Sequence, residues 1–281
     1  MNAICLTGRH VGRVWGRLDL PWSFAAGTAA AEPIGEIWFE DPRGAEAELL
    51  VKALFTSERL SIQVHPDDVA ARAAGLARGK DEAWYILSAE PGAVIGLGLK
   101  APVSREALRA AALDGSIEKL IDWRPVAAGD VFYSPGGTIH AIGPGLSLIE
   151  VQQNLDLTYR LYDYGRPREL HLDQALGVAD AGPWTAAAPP SLLSPGREIL
   201  AEGGAFVLER WTVTGTATIY ADGREMLIVP LAAAGMLDGQ ALSPGSAWSV
   251  EGRSALDAGD GVDLLVTYAG GAVNPAAITL A

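Results

Sequence analysis

The stretch Leu60-Ser-Ile-Gln-Val-His-Pro-Asp-Asp68 constrains this chain more than any other, because it assigns two faces to one strand. Alternate residues of a strand point to the same side. Ile62 and Val64 therefore share one face, and Ser61, Gln63 and His65 share the other. A polar face of this kind is either the solvated side of an antiparallel sheet or one wall of a polar cavity inside a barrel. The stretch alone leaves both open. Pro66-Asp67-Asp68 ends the strand and caps a short helix expected over 69–77.

The rest of the chain reads as further short strands between Gly and Pro corners. Ile34, Glu36, Trp38 and Glu40 alternate with Gly35, Ile37 and Phe39, which predicts a strand. Glu48–Phe55 is an apolar run with Lys52 inside it. In 79–87, Lys80, Glu82, Trp84 and Ile86 share a face. A helix is expected from Ser104, a good N-cap, to Leu113, with a second over 116–121. Val126–Gly145 carries His140 between a Pro-Gly-Gly and a Gly-Pro-Gly corner. In the following run Glu150, Gln152, Asn154, Asp156 and Arg160 have one parity, which suits a polar-in barrel strand.

Many short strands with such corners predict a mainly β fold of barrel or sandwich type. Length allows two units in 281 residues. We expect a catalytic domain over 1–180 with helical additions at 68–78 and 104–121. The Ala/Pro/Ser-rich segment 181–197 reads as a linker. Residues 198–281, which contain no histidine, are expected to form a smaller β domain without metal chemistry.

Composition narrows the partners. Acidic residues number 34 against 21 basic ones, a net charge of −13, and such a field repels nucleic acid. No apolar stretch is long enough to span a bilayer, and the N-terminus lacks a signal-peptide core. The chain reads as a soluble, cytoplasmic protein. A single cysteine, Cys5, rules out an internal disulfide and a cysteine-rich zinc site.

Gln63, His65, Glu82 and His140 come from three strands with inward parity. Two imidazoles, a carboxylate and an amide oxygen make a mixed site suited to Zn²⁺ or another divalent transition metal. The four segments around these residues, Leu60–Asp68, Gly79–Leu87, Gly137–Ala141 and Thr158–Gly165, resemble the type I phosphomannose isomerases in their short bacterial form. Trp15-Gly16 and Pro33–Trp38 extend the match, which runs from about residue 10 to 176.

The resemblance implies a two-cupin protein that interconverts mannose 6-phosphate and fructose 6-phosphate with zinc. By the same resemblance Gln63, His65, Glu82 and His140 are the metal ligands, Arg160 is the active-site arginine, and Lys52, Ser61 and Lys80 bind the sugar phosphate. Asp81 departs from the family motif, which usually has Thr there. Its parity is opposite to that of the ligands, so little effect is expected. The isomerisation requires a base between C1 and C2. Glu150 is favoured, Asp156 stands next, and Lys80 stays open. Arg160 is expected to meet charge in the transition state, and Lys52 the remote phosphate. The alternatives are an Fe(II) dioxygenase or a sugar-phosphate-binding module on the same cupin scaffold.

Overall fold

The computed structural model of the chain describes residues 2–21, 24 and 32–280. It is mainly β, with 47% of residues in strands and 10% in helices. A six-stranded antiparallel sheet runs in the order Thr7–Arg17, Ile34–Glu40, Leu49–Phe55, Leu146–Gln153, Glu82–Ala89, Val131–Ser134. Facing it is a five-stranded sheet ordered Tyr159–Tyr162, Ile62–Val64, His140–Ile142, Val94–Leu99, Ile121–Pro125. Together they make the expected barrel. Its apolar end is filled by Trp15, Leu54, Trp84, Ile86, Ile95, Leu97 and Leu148, and its polar end carries the site.

Both faces of the six-stranded sheet are buried, and alternation explains how. In Leu49–Phe55, Lys52 and Leu54 point into the barrel while Val51, Ala53 and Phe55 point away from it. The outward set meets Phe206, Leu208, Leu227, Val229 and Leu265 of a second, seven-stranded sheet in one continuous core. That second sheet closes a sandwich of its own with a five-stranded partner, packed around Trp211, Ile228, Val266 and Trp248. Apolar area removed from water on both sides of a sheet contributes roughly 25 cal/mol per Å², so the two halves stabilise each other.

A strand from the start of the chain also joins the second half. Ala3–Cys5 pairs antiparallel with Trp248–Val250 at the edge of the seven-stranded sheet, and the Asp238 carboxylate accepts from the backbone N–H groups of Asn2 and Ala3. The expected linker 181–197 is not free either. Ser191–Ser194 is a strand paired with Arg197–Glu202, and Trp184 donates to the Tyr133 carbonyl at 3.0 Å. A Pro-rich composition signals a lack of helix, not a lack of contact.

Arg105–Asp114, Ile117–Leu120 and Leu172–Val178 cover one face of the five-stranded sheet. Ser104 Oγ accepts from the Ala107 N–H at the start of Arg105–Asp114, followed by Ile117–Leu120. Asp67 caps Asp68–Ala73 through the Ala70 N–H at 2.7 Å. Leu172–Val178 starts without a capping signal, since its N-cap is His171, which makes no capping side-chain bond. Among the described residues, no helix is long and apolar enough to cross a membrane.

Candidate active site

Three strands bring the ligand residues together. His140 is the direct cross-strand partner of Gln63 in the five-stranded sheet, and His65 follows one residue beyond that strand. Glu82 comes from the facing sheet, paired with Gln152 and Ser134. The ligand atoms of His65, Glu82 and His140 all lie within 4.8 Å of one another, and all three residues are buried, none more than 2% exposed. Glu82 Oε1 lies 3.3 Å from His65 Nε2, and Oε2 lies 3.4 Å from His140 Nε2.

The hydrogen bonding of this cluster is incomplete. Both ring nitrogens of His65 and Oε2 of Glu82 are buried without a hydrogen-bond partner. Orphaned buried polar atoms are costly unless something meets them, and one orphaned His65 nitrogen grouped with the Glu82 carboxylate and a His140 nitrogen fits a divalent cation. His140 shows the complementary feature: its Nδ1 is 2.9 Å from the Thr138 carbonyl, which aims Nε2 at the cluster. The Gln63 amide lies 3.2 Å from His140 Nε2 and accepts from Ser61 Oγ at 2.9 Å. Turned end for end, that amide presents its oxygen to the same point while Ser61 Oγ becomes the acceptor.

Electrostatics keep the donors in a ligating state. Burial, and then the Lys80 ammonium, push His65 down to about 3, so its imidazole is neutral. Burial likewise lowers His140. Burial opposes ionisation of Glu82, but Lys80 and His65 outweigh it and hold the carboxyl well below its ordinary range. Lys80 Nζ is 3.1 Å from Glu82 Oε1. Burial works against the Lys80 charge too, and Glu82 and Glu150 more than restore it.

Above the cluster opens a cavity of about 390 Å³, within the roughly 300–1,000 Å³ of small-molecule sites. Lys52, Ser61, Gln63, Lys80, Glu82, Glu150, Asp156 and Arg160 all line it. A larger surface cleft, about 580 Å³, lies between Gly16–Asp19 and the Glu90–Ala93 turn, and none of the ligand residues lines it.

A row of side chains crosses the six-stranded sheet in register, Trp38 opposite Lys52, Lys52 opposite Glu150, Glu150 opposite Trp84. Lys52 Nζ is 3.3 Å from Glu150 Oε1, 2.5 Å from Gln152 Oε1, and 4.4 Å above the Trp38 ring. Trp84 Nε1 donates to Glu150 Oε2 at 3.0 Å. Burial, followed by repulsion from Glu82, pushes the Glu150 carboxyl up, and Lys52 pulls against it. Lys52, expected to hold a remote phosphate, is thus a buried partner of the expected base. Asp156 is exposed at the mouth.

Arg160 is the cross-strand partner of Gln63. Its Nε is buried without a hydrogen-bond partner. Burial, then the Arg168 cation, lowers its proton affinity, so the cavity has an unmet positive charge there.

Sequence reasoning missed the residues that frame the mouth. Arg13 donates from Nε and Nη2 to Glu36 at 3.0 and 3.1 Å, and Trp38 Nε1 donates to the same carboxylate at 2.5 Å. Arg168 forms a second fork on Asp163 at 2.6 and 2.7 Å. The shared parity of Glu36 and Trp38 was the available signal. Arg13 and Arg168 carried none, because their contacts depend on a bulged hairpin and on an irregular loop.

No protein-family model matches the chain. The mannose-6-phosphate isomerase of Streptococcus mutans is 37% identical over 207 residues, covering 71% of the chain and 65% of that protein's own length. The mannose-6-phosphate isomerase ManA of Bacillus subtilis is 37% identical over 182 residues, 57% of the chain and 58% of its own length. The chain thus matches less than two thirds of the length of either relative. In three dimensions it superposes on a crystal structure of the Bacillus subtilis mannose 6-phosphate isomerase with a TM-score of 0.79 at 26% identity, covering 95% of this chain and 99% of that one.

Proposed function

Because the chain is related to the mannose-6-phosphate isomerases in sequence and in fold, we propose that it is a metal-dependent aldose–ketose isomerase interconverting mannose 6-phosphate and fructose 6-phosphate. The observation that carries this reading is the buried trio His65, Glu82 and His140, with its orphaned atoms, whose Glu82 lines a cavity that also holds the Glu150 carboxylate of raised pKa.

His65, Glu82, His140 and the Gln63 amide oxygen would hold a divalent ion, zinc by its preference for mixed nitrogen and oxygen donors. When bound, it supplies polarisation of the substrate oxygens beside the reacting carbons. Every remaining task falls to the chain. Glu150 moves the proton between C1 and C2 through an enediol, and its raised proton affinity suits a group that must both take and return a proton near neutral pH. Lys52 and Trp84 fix one donor on each of its oxygens. Arg160 meets the negative charge that develops on the substrate oxygens. Asp156, exposed at the mouth, is the lesser candidate for the base.

Ser61 and Lys80 face the cavity beside the ligands and contact substrate hydroxyls. At the mouth, Arg168 and Arg13, each held by a carboxylate, give the terminal phosphate a cationic rim that offsets the net charge of the chain. A coupled assay for fructose 6-phosphate formed from mannose 6-phosphate tests the reading. Turnover at or above about 1 s⁻¹, the low end for enzymes, supports it. Retention of sugar phosphate with no exchange of the C2 proton with solvent reduces the chain to a binding module.

A further inference from the structure

Asp81 lies between Lys80 and Glu82 and faces away from the cavity, where the sequence alone suggests a residue of no consequence. Its carboxylate is nevertheless engaged on both oxygens. Oδ2 accepts from Tyr133 Oη at 2.5 Å, and Oδ1 accepts from the Gly136 N–H at 2.8 Å. The backbone of Asp81 is tied as well: its N–H donates to Gln153 Oε1 at 2.9 Å, and its carbonyl accepts from the Gln153 N–H at 3.0 Å.

The two side-chain partners lead to different parts of the molecule. Gly136 begins a corner that touches both histidine ligands. The Gly137 N–H donates to the His65 carbonyl at 2.8 Å, and the Thr138 carbonyl is the partner of His140 Nδ1. The corner cannot move inward, since a Cβ on Gly136 would stand 2.5 Å from Asp67 Cα. Tyr133 leads to the second sandwich. Its ring lies 5.3 Å from that of Phe206 and against Gly203, where an added Cβ would fall 2.0 Å from the tyrosine hydroxyl.

We propose that Asp81 is a positioning residue of the metal site, fixing the Glu82 strand against the corner that holds His65 and His140 and referencing all three to the second sandwich through Tyr133. The inference rests on the metal-site reading above. It also gives the second sandwich a task, although none of its residues lines the cavity.

Zinc affinity, measured on the purified full chain by competition with a chromophoric chelator, is the test, with thermal unfolding followed in parallel. Partners of metal-bound ligands typically control affinity by 10- to 100-fold. Asp81 acts one bond further out, through Gly136, so Asp81→Ala should weaken zinc binding by about 10-fold, the lower end of that range. Asp81→Asn keeps an acceptor for the Gly136 N–H and should recover most of that loss. Tyr133→Phe, which removes one hydroxyl and leaves the strand unaltered, should weaken binding by a smaller factor and remains informative if the alanine variant does not fold. Alanine and phenylalanine variants with wild-type zinc affinity, even at reduced thermal stability, overturn the proposal while leaving the metal site standing. A wild-type chain that binds no divalent ion overturns both.

Discussion

Lys52 and Glu150 stand directly opposite each other on neighbouring antiparallel strands, and their charged groups meet 3.3 Å apart with only 6% and 7% of the side chains exposed. A buried pair of this kind is costly to break from one side, because the remaining charge is left without a partner. The pair therefore links stability to chemistry.

Replacing the cation should show both effects. Lys52→Met removes the group that draws the Glu150 carboxyl down, so burial and Glu82 then raise it unopposed by Lys52. A base must be ionised to act, so the acid limb of the pH dependence of kcat/KM should move to higher pH. Turnover at neutral pH should fall, and urea unfolding should show a loss of about 3 kcal/mol. A variant with raised KM and an unmoved pH profile would place Lys52 on the phosphate instead.

Arg160 makes the opposite prediction. Its guanidinium has no carboxylate partner among the described residues, so its removal should hardly change stability. If it meets charge that develops only during reaction, Arg160→Ala should lower kcat by roughly 10²-fold, the effect of losing one such donor. High substrate should not rescue it. Full rescue at saturating mannose 6-phosphate would assign Arg160 to ground-state binding.

Glu36 gives a stability prediction with a definite sign. Burial raises its proton affinity, but Lys52, Arg13 and the Trp38 N–H outweigh burial, and the folded carboxyl titrates below its ordinary 4.5. A carboxylate depressed on folding contributes stability above its unfolded pKa and loses it as pH falls through the folded value. The wild type should thus be more stable than Glu36→Gln at pH 7, with the gap closing below about pH 4.5. Urea midpoints at several pH values measure it, and a gap that widens on acidification contradicts the reading.

Much of this site is legible in the sequence because strand parity is a rigid rule. Gln63 and His65, Lys80 and Glu82, and Glu150 and Gln152 each announce a shared face; Gln63, Lys80, Glu82 and Glu150 line one cavity, His65 joins the cluster with Glu82, and Gln152 bonds Lys52. Parity does not say what lies on the other side. Val51, Ala53 and Phe55 look like any apolar run, yet they form the seam with the second sandwich. Parity turns Asp81 away from the ligands, yet that outward face carries the bonds to Tyr133 and Gly136. The pairing of Ala3–Cys5 with Trp248–Val250 was out of reach, because three residues carry too little pattern to reveal a partner that far along the chain.

The most direct test of the metal-dependent isomerase is a titration of metal into chelator-treated protein, with isomerisation of mannose 6-phosphate followed at each addition. The site predicts that the stripped chain is inactive and that activity returns linearly and saturates at one equivalent of Zn²⁺ or another divalent ion, with His65→Ala failing to recover. Undiminished activity in the metal-free chain, or equal recovery by His65→Ala, would contradict it.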